Sequence, residues 1–189
     1  WQYRQGKISL PENFVMQTNK PFLSARQLAR CAMIAAVYTV LCLSFAPLAF
    51  GPVQLRFAEA LVLLPVFGPE YILAGTLGCF LSNLLGSTLP DVVFGTLATL
   101  LACLGTYALR GRRVRGLALP AALPPILANA LIVGPELAFF FSDSPATLPL
   151  ILWNGLTVAL GEAVACGVLG VALIKLIETS AGLRRVFTE

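Results

Sequence analysis

The sequence predicts an all-α membrane protein: a six-helix transmembrane bundle with a short second helix and both termini cytoplasmic. Three observations carry this expectation. Apolar residues make up 58% of the 189 positions and charged residues 12%, with mean hydropathy +0.84. Apolar runs at Leu28–Phe45, Tyr71–Leu85, Val92–Leu109, Ile126–Phe141 and Leu148–Ile174 are each near the ~20 residues needed to cross a ~30 Å hydrocarbon core. Every Lys and Arg except Arg56 falls in one of three clusters: Arg4 to Arg30, Arg110 to Arg115, and Lys175 to Arg185. The positive-inside rule puts all three on the cytoplasmic side, so an even number of spans separates each pair. The net charge of +4 is thereby explained by topology, and no nucleic-acid partner is expected.

The elements follow in order. Residues 1–23 form a polar tail, the first fifteen of which lack periodicity and precede Met16; they are read as disordered or as lying upstream of a start at Met16. Residues 24–179 form the membrane domain, and residues 180–189 a cytoplasmic tail. The first helix spans 24–46, where Ala25, Ala29, Ala32 and Ala36 make a flat stripe of small residues along which another helix can approach closely. The loop 47–56 dips inward, which is allowed only where protein or a cavity covers its backbone. From Phe57 to Gly86, one helix would be about 45 Å long, too long for the bilayer, and would put the Arg110–Arg115 cluster outside. Two helices, 57–68 and 70–86, restore the parity, with Pro65, Gly68 and Pro69 supplying the break. The remaining spans are 91–110, 120–141 and 147–179, and the fourth has its own small-residue stripe in Gly95, Ala98, Ala102 and Gly105.

Polar residues inside these spans are functional-site candidates by default. Gln54, Arg56 and Glu59 lie in the stretch FGPVQLRFAEALVLLP, 50–65, at the outer end of helix two. Asn83, Asp91, Glu136, Trp153 and Asn154 belong to the same outer level on helices three to six. Asn129 precedes Glu136 by seven residues, on the same face and ~10 Å deeper. Pro135 is expected to kink helix five and free a carbonyl beside Glu136. Simpler readings stand beside these. Asp91 after Pro90 suits a helix N-cap, Glu70 the start of helix three, and Trp153 an interfacial belt. Arg56 and Glu59 suit an ion pair holding the loop down. Glu162, deep in helix six, is a pocket floor or half of a polar pair.

Enzyme chemistry has little support. The chain has no His, no HExxH or GxSxG string, and no marked nucleophile. The five Cys lie singly in apolar runs without CxxC spacing and are read as packing residues. No cofactor and no metal are expected. Gly111–Gly116 has the spacing of a phosphate loop, but Leu117 and Ala118 stand where Lys and Ser/Thr are needed, so uphill transport would take its energy from a gradient or a partner.

The strings FGPVQLRFAEALVLLP, DVVFGTLATLLA (91–102), NALIVGPELA (129–138) and WNGLTVALGE (153–162) resemble the QueT family of queuosine-precursor transporters, over about Ser24 to Glu178. These are substrate-binding S components of energy-coupling factor (ECF) transporters. The resemblance implies a bacterial cytoplasmic membrane location, an outward ligand site and a partner module of one transmembrane coupling subunit with two ATPases. It also implies that the AxxxA-type stripe of helix one, Ala25, Ala29, Ala32 and Ala36, docks on that subunit, and that the bundle reorients when the partner hydrolyses ATP. A 7-deazaguanine ligand such as preQ0, preQ1 or queuine suits the polar set. Its two adjacent N–H donors match Glu136 or Glu59, its carbonyl matches Arg56, Asn83 or Asn129, and its ring matches Trp153. An aminomethyl cation would pair with Asp91. The alternatives are an S component for another vitamin-like solute, or a membrane enzyme acting through the carboxylates.

Overall fold

The computed structural model describes residues 23–49 and 55–188. Residues 1–22 of the N-terminal tail and Gln54 therefore lie outside the described residues, as does half of the loop 47–56 expected to dip into the membrane.

Helix α1, Ala25–Ser44, opens with a capping box: the Ser24 hydroxyl accepts from the Gln27 N–H, and the Gln27 side chain accepts from the Ser24 N–H. Its inner face carries Cys31, Ala35, Tyr38, Thr39 and Cys42, at the three- and four-residue spacing of one helical face. A short α2, Ala46–Ala49, follows. The next element, Phe57–Val66, is a 3-10 helix where an α-helix over 57–68 is expected. Its tighter winding carries ten residues about 20 Å, further than the same residues would reach as an α-helix. Seven of the ten are buried, and the element touches α1 and five others: α3 (Glu70–Gly86), α4 (Leu89–Ala108), a 3-10 turn at Leu119–Ala122, a π-helical segment at Ala163–Gly170 and α7 (Val171–Thr179). An apolar helix without a polar face is stable only when surrounded in this way.

The expected break lies between Val66 and Glu70, with Gly68 and Pro69 in it; Pro65 is instead the penultimate residue of the 3-10 helix. The 3-10 turn at Leu119–Ala122 leads into α5, Leu123–Phe140, which continues through Pro135. The last long run is α6, Leu148–Glu162, then the π segment, then α7, without interruption to Thr179. A further helix, α8 (Ala181–Thr188), occupies the stretch read as a tail.

The described residues contain no strand, and four helical runs are long and apolar enough to cross a membrane: Ala25–Ser44, Leu89–Ala108, Leu119–Phe140 and Leu148–Thr179. Large apolar side chains such as Met33, Val40, Leu101, Leu127 and Leu160 cover the outside, while Arg56, Glu59, Asp91, Asn129, Glu136 and Glu162 are buried. Apolar outside and polar within is the reverse of a water-soluble fold, and the chain is a multi-pass membrane protein.

One end of the bundle gathers three of the basic segments. Arg113 pairs with Glu178 at 2.7 Å, Arg30 donates to the Val186 carbonyl at 2.6 Å, and the Tyr71 hydroxyl donates to the Phe187 carbonyl at 2.8 Å. Phe187 of α8 packs its ring on Phe67 and Tyr71. Glu70, in the first turn of α3, sits 4.0 Å from Arg30 at the same end.

Candidate functional site

The far end of the 3-10 helix holds the polar centre. Arg56 stands just before that helix, 5% exposed. Its Nε donates to the Ala49 carbonyl at 3.0 Å, and its Nη2 lies 3.2 and 3.1 Å from the two carboxylate oxygens of Asp91. Asp91 Oδ2 also accepts from the Ser87 hydroxyl at 2.6 Å. Asn83 Nδ2 donates to the Asp91 backbone carbonyl at 2.8 Å and lies 3.4 Å from Cys79 Sγ. The side chain of Asp91 thus serves the ion pair rather than capping α4, whose cap residue is Thr88. A buried ion pair holds only when its remaining hydrogen-bonding capacity is filled, which Ser87 and Ala49 help to do, while Asn83 holds the Asp91 backbone. Gly95 makes room for the group: a Cβ there would come within 2.8 Å of the Asn83 amide and 3.2 Å of Asp91.

Glu59 feels the Arg56 charge and is held by a different side chain. Its Oε1 accepts from the Tyr38 hydroxyl, and it lies with Glu162 and Cys166. Glu136, 3% exposed on α5, has neither carboxylate oxygen hydrogen-bonded among the described residues, yet it feels the charges of Asp91 and Arg56. Asn129, two turns earlier on the same face, has an unpartnered Nδ2, and Asn83 an unpartnered Oδ1. An apolar wall of Ala98, Val133, Leu137 and Val158 joins α4, α5 and α6.

The structure therefore brings Arg56, Asn83 and Asp91 into direct contact and turns Asn129 and Glu136 into the same helical bundle, while Glu59 is drawn towards α6. Asn154 is half-buried, and its backbone carbonyl accepts from Thr157 Oγ1 at 2.9 Å. Trp153 is 63% exposed on α6. Sequence reasoning missed Tyr38, Ser87 and Cys166. A tyrosine inside an apolar helix was the available signal, since a buried hydroxyl needs a partner. The two small-residue stripes part company: Ala98 and Ala102 are buried and a Cβ on Gly105 would strike Pro124 of α5, whereas Ala25, Ala29, Ala32 and Ala36 are all exposed.

The centre thus gathers buried hydrogen-bond acceptors and donors, several of them without a partner among the described residues. A family model described as QueT transporter matches residues 28–179. A curated protein, queuosine precursor transporter QueT of Lactococcus lactis subsp. cremoris, is 39% identical over 71 residues, covering 36% of this chain and 42% of that protein. The match thus spans less than half of that relative's length. No solved structure matches.

Proposed function

Since this chain belongs to the QueT transporter family, a family of transporters and not of enzymes, we propose that it is the substrate-binding S component of an ECF-type importer for a queuosine precursor. It works in a bacterial cytoplasmic membrane as six membrane-crossing elements, with both ends on the cytoplasmic side. The topology rests on the clustering of Arg30, Arg113 and α8 at one end of the bundle and on the excess of positive charge inside.

The observation that carries the substrate reading is the set of buried polar atoms without partners among the described residues: both oxygens of Glu136, Asn83 Oδ1 and Asn129 Nδ2. A buried polar atom left unpaired costs about 1–3 kcal/mol, so such a set is stable when a solute completes it. A 7-deazaguanine does so. Its adjacent ring and exocyclic N–H groups reach the two Glu136 oxygens, its carbonyl accepts from Asn129, and a further N–H finds Asn83. Arg56 and Asp91 hold the floor in shape, with Asn154 at the rim. Trp153, exposed on α6, serves the bilayer interface.

Energy comes from a partner. Ala25, Ala29, Ala32 and Ala36 form an exposed strip on α1, narrow enough for a coupling subunit to approach closely, and ATP hydrolysis in the partner module would reorient the loaded bundle. In vesicles reconstituted with an ECF module and internal ATP, labelled 7-deazaguanine is expected to accumulate unaltered. Ala32→Trp is expected to abolish accumulation while binding persists. Accumulation without the module, or undiminished in Ala32→Trp, overturns the coupling; uptake of other vitamin-like solutes alone reassigns the ligand.

A further inference from the structure

Three potential metal donors meet near the middle of the bundle. Glu59, Glu162 and Cys166 are 1%, 4% and 0% exposed, and one donor atom from each lies within 4.8 Å of the others. Glu162 ends α6 and Cys166 lies one turn on, inside the π segment, a helix form concentrated at functional sites. Both face the 3-10 helix that carries Glu59. Cys166 Sγ is 3.3 Å from Glu162 Oε2 and 3.2 Å from the Glu59 carbonyl.

The second, independent feature is how Glu59 is held. The Tyr38 hydroxyl fixes Oε1, leaving Oε2 buried and without a partner among the described residues. That is the arrangement of a ligating carboxylate oriented by an outer hydrogen bond. Arg56 acts as a counter-charge on both Glu59 and Glu162 but is itself paired with Asp91, so at least three buried carboxylates share it in a low-dielectric interior, a costly arrangement.

We infer that Glu59, Glu162 and Cys166 form a binding site for one divalent transition-metal ion, zinc by its donor set. Two carboxylates and a thiolate suit a borderline-soft ion rather than calcium or magnesium. With zinc–oxygen and zinc–sulfur bonds of about 2.1 and 2.3 Å, tetrahedral geometry separates oxygen and sulfur by roughly 3.6 Å. The 3.3 Å between Glu162 and Cys166 already lies near that value, and small side-chain rotations bring in Glu59 Oε2. On binding, the S–H bond breaks, its proton goes to solvent and the sulfur lone pair bonds the metal. Three protein donors leave one position for water. The ion would clamp the 3-10 helix to the last long helix beneath the Arg56–Asp91 pair.

The test is the metal content of the full chain, purified in detergent without a metal-affinity step and passed through chelator. About one zinc per chain is expected, falling at least tenfold in Cys166→Ser and Glu162→Gln. Should those variants fail to fold, wild-type protein from cobalt-grown cells is read instead: a thiolate-to-cobalt charge-transfer band supports the site, and its absence overturns it. Metal-free wild-type protein with a protonated-carboxyl infrared band that Glu162→Gln removes also overturns it, because the pair is then closed by a proton.

Discussion

Asp91 is gripped from two sides, by Arg56 and Ser87, and both it and Arg56 are almost wholly buried. Removing one partner of such a pair strands the other charge. Asp91→Ala is therefore expected to destabilise the protein by about 3–5 kcal/mol, read as a lowered thermal midpoint in detergent, whereas loss of the exposed Asp143 should leave the midpoint unchanged. The sequence marked Arg56, Asn83 and Asp91 as belonging together because intramembrane polar residues need partners. It did not say which pairs form. Arg56 and Glu59 are three residues apart, the spacing of helical neighbours, yet Arg56 is the extended residue before the 3-10 helix, and its side chain goes to Asp91 while Glu59 takes the Tyr38 hydroxyl. Cys166 looked like one packing cysteine among five because its neighbours Glu59 and Glu162 arrive from distant or differently wound segments.

At the level of elements, close approach between helices rests on missing side chains. A Cβ on Gly134 of α5 would lie 2.6 Å from the Cα of Gly155 on α6, and neither backbone can yield without parting the wall that carries Glu136. Gly134→Ala is expected to cost about 1–3 kcal/mol and to weaken ligand binding in parallel. Gly111→Ala, with open space around it, serves as the neutral control in the same thermal and binding assays. Helix existence was legible from apolar runs and from the arithmetic of basic clusters, and the break before Glu70 from Gly68 and Pro69. The 3-10 form of Phe57–Val66, the π segment and α8 were not, since apolar composition alone does not distinguish helix windings. Nor did spacing separate the buried stripe of α4 from the exposed one of α1; only the packed neighbours do.

Among the described residues, hydrocarbon-facing side chains surround a core that keeps charge, and most of the buried polar atoms without partners lie on α3, α4 and α5. A bundle built only to be stable would place apolar residues there. Composition made the class readable because a bilayer permits few architectures; the ligand is less readable because one scaffold serves many solutes. The most direct measurement is a calorimetric titration of the purified full chain and of Glu136→Gln with 7-cyano-7-deazaguanine, 7-aminomethyl-7-deazaguanine and queuine. The account predicts saturable one-to-one binding of at least one of them, recovered unaltered. In Glu136→Gln, loss of charge-assisted hydrogen bonds worth about 1.5–3 kcal/mol would weaken it roughly tenfold to a hundredfold. Absence of binding to all three, or equal affinity in Glu136→Gln, would contradict it.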